Sequence, residues 1–96
     1  LMLALGQVLF KLYRIQSIMS SEMENQIKIL VIERIKYLME IEHLTQYALA
    51  KQLNISQSTI CNWLNGKKEP SIENLWKLAD RFDVSVDFLI GRSETI

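Results

Sequence analysis

The chain has 96 residues, 49% of them apolar, which is enough to bury one small core and not two. Lys and Arg number 11 and Asp and Glu 11, a balance that on its own argues against a nucleic-acid partner, because phosphate contacts leave a basic signature. The lone cysteine, Cys61, excludes an internal disulfide and a cysteine-based metal cluster and fits a reducing cytoplasm.

The zero sum hides a division along the chain. Residues 26 to 68 hold six basic side chains against three acidic ones, +3, and residues 69 to 96 hold three against six, −3. Any surface that attracts phosphate belongs to the first of these halves.

At the N-terminus an uncharged run ends at Lys11, far too short to cross a bilayer. A secretory signal would want a positive start and a small-residue cleavage site, and neither is present. Leu5, Val8, Leu9, Leu12, Ile15 and Met19 fall instead on one helical stripe, opposite Gln7, Lys11 and Arg14. Three readings stay open: a helix that packs on the domain or joins two copies, an interfacial membrane helix, and a non-native extension, since the first residue is Leu while Met19 and Met23 offer starts. Ser20-Ser21-Glu22 reads as a linker. The expected organisation is an amphipathic extension over 1–22, a domain over 23–92 and a tail over 93–96.

From Gln26 to Glu42, the spacing of Ile27, Leu30, Val31, Arg34, Ile35, Leu38 and Met39 predicts an amphipathic helix whose apolar stripe needs later helices to cover it. Glu42-His43-Leu44 breaks it, with His43 as a C-cap residue near positive φ. With no second His, a metal or catalytic role for His43 lacks partners. Gln46 to Leu53 follows as a helix of about two turns, capped by Thr45, with Leu49, Ala50 and Leu53 at helical spacing. The chain then reverses: Asn54 sits where positive φ is needed, Ile55 plugs the turn, and Ser56 is the next N-cap.

The helix after Ser56 carries Ile60, Trp63 and Leu64 on one face and Gln57, Ser58, Cys61, Asn62 and Asn65 on the other. That second face is polar yet uncharged, where a helix needing only solubility would carry Lys and Glu. Short amides and hydroxyls are the groups that hydrogen-bond to base edges in a major groove, Gln or Asn bridging adenine N6 and N7. Gly66 and Pro70 punctuate the exit. Ser71 then caps a fourth helix with Ile72, Leu75, Trp76, Leu78, Ala79 and Phe82 expected inward, and Ser85 caps a short fifth helix from Val86 to Ile90, closed by Gly91.

These residues resemble the helix-turn-helix domain of the lambda-repressor/Cro type, also called the xenobiotic-response-element type, over roughly residues 27 to 91. The resemblance is carried by RIK at 34–36, LTQ at 44–46, the small Ala50, ISQSTICNWLNGKKEPS at 55–71 and LWKLADRFDVSVDFLIG at 75–91. It implies an all-α, five-helix lambda-repressor-like DNA-binding bundle, here with an additional N-terminal amphipathic segment.

The resemblance also implies roles. Gln46 matches a phosphate-contacting position at a helix N-terminus. Gln57, Ser58 and Asn62 match base-reading positions, and Thr59, Asn65, Lys67 and Lys68 match positions bordering the phosphate backbone. Ile60, Trp63, Ala50 and Leu53 read as core, and Cys61 as a small neutral residue on the groove side. Several family members pair an Arg in the first helix with a Glu in the third; Met39 and Leu64 stand there instead, so apolar packing is expected to replace that ion pair.

The expected function is a sequence-specific DNA-binding transcriptional regulator, a repressor in the cytoplasm of a bacterium or encoded by its phage. Its expected partner is a double-stranded DNA operator, bound as a homodimer on half-sites roughly 34 Å apart. Dimer contacts are expected from Val86, Phe88 and Leu89 or from the N-terminal segment. The rival is a protein-interaction module of the same fold, such as an antitoxin or anti-repressor partner. No nucleophile–base pair or phosphate loop marks an enzyme, and no cofactor, metal, membrane or small-molecule partner is expected.

Overall fold

The computed structural model describes residues 21–96, and these form five helices and no strand. In chain order they are α1 (Ser21–Ile41), α2 (Gln46–Leu53), α3 (Gln57–Leu64), α4 (Ile72–Phe82) and α5 (Val86–Leu89). The amphipathic stripe over residues 1 to 20 lies outside the described residues. The linker does not hold where it can be seen: Ser21 and Glu22 are already helical.

The remaining starts are set by short hydroxyls. Thr45, Ser56, Ser71 and Ser85 each sit in extended backbone and accept a hydrogen bond from the N–H three residues on, at Ala48, Thr59, Asn74 and Phe88. Such a bond satisfies a donor that the helix itself cannot, and its loss costs about 1 kcal/mol.

All five helix ends are built alike. His43 (φ 52), Asn54 (φ 58), Gly66 (φ 75), Asp83 (φ 54) and Gly91 (φ 84) turn the chain through the left-handed region just past each helix. In each case the next N–H reaches back to a carbonyl five residues before it: Leu44 to Met39 at 2.8 Å, Ile55 to Ala50 at 3.0 Å, Lys67 to Asn62 at 2.9 Å, Val84 to Ala79 at 3.0 Å and Arg92 to Asp87 at 2.8 Å. Three of those following residues, Leu44, Ile55 and Val84, are aliphatic and pack on the core, so each turn also drives an apolar side chain inward.

One buried cluster joins the helices: Val31, Ile35, Leu38 and Met39 from α1, Leu49, Ala50 and Leu53 from α2, Ile60 and Trp63 from α3, Leu78, Ala79 and Phe82 from α4, and Phe88 and Leu89 from α5. α2 packs on α3, α1 covers α3 and α5, and α4 rests on α2 and α5. Leu64 is partly buried at the edge of this cluster, in which Met39 is buried.

Several inward expectations fail. Ile27 is 41% exposed, Ile72 is 85% exposed and Trp76 is 67% exposed. α4 offers two apolar edges, and only the one holding Leu75, Leu78, Ala79 and Phe82 meets the other helices. Conversely Phe88 and Leu89 are buried within their own bundle and cannot serve as a dimer surface while it is folded.

Two arginines tie the ends together. Arg34, which shares the apolar stripe of α1, donates to the Phe88 carbonyl at 3.2 Å, the Ser93 carbonyl at 3.0 Å and Glu94 Oε2 at 3.3 Å, and lies 4.2 Å over the Phe88 ring. The expected tail, residues 93–96, is thus held to α1 at Ser93 and Glu94. Arg81 pairs with Glu42 at 3.0 Å and donates to Gln52, joining α4 to the start and end of α2's neighbourhood.

Candidate nucleic-acid interface

α2 and α3 are held at a fixed angle by their shared interior. Leu49, Ala50 and Leu53 of α2 are buried in the same cluster as Ile60 and Trp63 of α3. A larger residue at position 50 would push the helices apart. The left-handed Asn54 and the half-buried Ile55 complete a turn short enough to fix the approach of α3.

Because Ile60 and Trp63 point inward, the other side of α3 must face out. Gln57 and Ser58 are exposed, and Cys61 and Asn62 are half-buried. Asn65, Lys67 and Lys68 are exposed at the helix exit, and Gln46 and Thr59 are half-buried at the starts of α2 and α3. The structure therefore brings Gln57, Ser58, Thr59, Asn62 and Asn65 onto one short helix with Lys67 and Lys68 at its end. Gln46 sits on the neighbouring helix, at an N-terminus that Thr45 caps at 3.1 Å through Ala48.

The hydroxyls at the head of α3 form a cluster that residue-by-residue reading did not find. Ser56 Oγ lies 3.0 Å from Ser58 Oγ and 2.7 Å from Thr59 Oγ1, while accepting from the Thr59 N–H at 3.2 Å. The signal was present as three hydroxyls at positions 56, 58 and 59, one capping and two within reach of the cap. The cluster holds Ser58 and Thr59 in place before any ligand arrives, which lowers the ordering cost of a contact. At the other end Asn65 Nδ2 donates to Cys61 Sγ at 3.2 Å, so the cysteine has a polar neighbour on the outer face.

The exit of α3 turns on Gly66. The Lys67 and Lys68 N–H groups both reach the Asn62 carbonyl, at 2.9 and 3.3 Å, and this fold-back projects two ammonium-bearing side chains from the helix end. Among the described residues, Lys36, Lys51, Lys67 and Lys68 form no ion pair, whereas Lys28 is joined to Glu69 at 3.1 Å and Arg34 to Glu94. The positive half of the sequence thus resolves into a smaller set of available cations, two of them beside the uncharged face of α3.

An eight-residue helix presenting amides and hydroxyls, held by a second helix across a tight turn and flanked by lysines, defines the helix-turn-helix class. The chain matches the helix-turn-helix family over residues 35–89, and it belongs to that family, in its lambda-repressor/Cro branch.

Several known proteins share this region. A transcriptional activator of Enterococcus faecalis, BcrR, is 36% identical over 64 residues, 67% of this chain and 31% of its own length. The Bacillus subtilis regulator ImmR is 34% identical over 50 residues, 52% of this chain and 39% of its own, and the cryptic phage CTXphi repressor RstR of Vibrio cholerae is 37% identical over 51 residues, 53% of this chain and 46% of its own. The chain therefore spans under half the length of these relatives. A crystal structure of a transcriptional regulator from Listeria innocua superposes with a TM-score of 0.61 at 29% identity, covering 69% of this chain and 62% of that one.

Proposed function

We propose that the chain is a sequence-specific DNA-binding transcription regulator whose domain, over residues 23–92, lays α3 in the major groove. Gln57, Ser58 and Asn62 read base edges, with Gln57 and Asn62 suited to adenine. Gln46, Thr59, Asn65, Lys67 and Lys68 hold the sugar–phosphate backbone on either side, fixing register without reading sequence. One observation carries this reading: the outward face of α3 is polar, uncharged and accessible, and it ends in two lysines with no ion-pair partner among the described residues.

Repression follows from the contact alone, because a bundle seated on an operator occludes any polymerase site that overlaps it. Activation would need a further contact with the transcription machinery, and the relatives include one of each kind by name. The regulator acts where the genome is, in a bacterial or phage-infected cytoplasm. None of the described helices is long and apolar enough to cross a membrane.

The test begins with selection of bound duplexes from a random pool, followed by mobility-shift titration of the winner. Gln57→Ala and Asn62→Ala each weaken the selected duplex by about 1–3 kcal/mol while leaving random-sequence binding and the melting temperature nearly unchanged. If both variants bind the selected duplex as the parent does, α3 is not the reading element and the protein-interaction alternative takes its place.

A further inference from the structure

The apolar residues that α4 leaves outside form a surface with a definite pattern. Ile72 and Trp76 are one helical turn apart on the same side, 85% and 67% exposed. Tryptophan is the side chain most enriched at the energetic centre of protein contacts, and a Trp–Ile pair left open to water is a standing cost unless something covers it. Beside this pair stand Glu73 and Lys77, whose carboxylate and ammonium approach to 3.8 Å along the helix.

We propose that this face of α4 is where a second copy of the chain joins the first, the two α4 helices running antiparallel about a two-fold axis. The charge order carries the choice of occupant. The acidic Glu73 lies toward the N-terminal end of the patch and the basic Lys77 toward its C-terminal end. Turned by half a circle, the same surface sets Ile72 against Trp76 of the second copy and Glu73 against its Lys77. The patch is complementary to itself, which is what an isologous contact requires.

Two further observations agree. α5 has less apolar surface to offer, since Phe88 and Leu89 are spent in the core and Val86 and Ile90 are half-buried against it. Ile72 also follows Lys68 by four positions, so the patch continues directly from the loop at the end of α3. Joining two copies there fixes one reading helix relative to the other, as a two-fold operator demands; this part rests on the DNA-binding reading above.

The size of the patch sets the strength. Ile72 and Trp76 offer roughly 300 Å² per copy, against about 800 Å² per partner in a standard interface. Association in free solution is therefore weak, and two adjacent half-sites supply the high local concentration that completes the dimer.

Sedimentation equilibrium of the 96-residue chain, from micromolar to millimolar and without DNA, tests the surface separately from DNA reading. The parent self-associates toward a dimer in the upper part of that range. Trp76→Glu, whose side chain is exposed and whose thermal melt should match the parent's, weakens association more than about tenfold. Glu73→Lys and Lys77→Glu each weaken it, and the double variant restores it, because the reversed charges again face their opposites across the axis. A parent that stays monomeric at millimolar concentration, or Trp76→Glu that associates as the parent does, overturns the proposal and leaves the patch to a different protein. Failure of DNA reading would show elsewhere, as a random pool that yields no bound duplex.

Discussion

Arg34 shows how one side chain can change character between chain and fold. It lies on the buried stripe of α1, and the fold satisfies it with two carbonyls, a carboxylate and the Phe88 ring. The carbonyl bonds are largely shielded from water, whereas Glu94 is almost fully exposed, so the two kinds of partner should differ in weight. Arg34→Ala is expected to cost about 2 kcal/mol in urea denaturation. Glu94→Gln should cost under about 0.5 kcal/mol. Equal losses would mean that the ion pair, and not the carbonyl bonds, anchors the C-terminal residues. Gly91 is as constrained for the opposite reason: its φ is 84° and an added Cβ would come within 2.6 Å of Leu30 Cδ1 and 3.3 Å of Leu30 Cβ. Gly91→Ala is therefore expected to lower stability by about 1–2 kcal/mol through backbone strain and a forced shift of the Leu30 side chain, read as a drop in the urea midpoint with an unchanged slope.

At the scale of elements, the repeated left-handed exit explains why such short helices stay in place. Each exit satisfies carbonyls that would otherwise be orphaned, and three also seat an aliphatic plug. The residues that do it are not equally suited. Asn tolerates the left-handed region, Gly occupies it freely, and His43 pays for its Cβ. Since His43 is exposed and no side-chain contact would be lost, His43→Gly is expected to raise stability by about 0.5–1 kcal/mol, and Asn54→Gly by less, by thermal melting. No change at His43 would indicate that its side chain helps the break between α1 and α2.

For the whole molecule, zero net charge is reconciled with the proposed DNA binding by where the charges are used. The acidic excess of residues 69–96 lies beyond α3, and part of it is consumed by Lys28, Arg34 and Lys77. The cations beside α3 have no ion-pair partner among the described residues and are available to phosphate in the proposed complex. Binding to the selected duplex is expected to fall with rising salt, and Lys67→Ala or Lys68→Ala should each make the slope of log K against log[salt] shallower by about 0.9 while weakening all duplexes alike. An unchanged slope would remove that lysine from the phosphate contact.

Much of this architecture could be read from the chain because its causes are local. The four hydroxyl caps, the left-handed Asn54, the burial of Ala50, Ile60 and Trp63, and the outward amides of α3 each follow from a residue and its neighbours within a turn or two. Periodicity cannot say which of two apolar edges on α4 meets the core, nor that Phe88 and Leu89 are covered, nor that Arg34 closes on Ser93 and Glu94, 59 and 60 positions away. Those outcomes depend on where α1, α2 and α5 settle against α4. A helix's own pattern is set by its sequence, but the face it must hide is decided by the helices that come to rest on it.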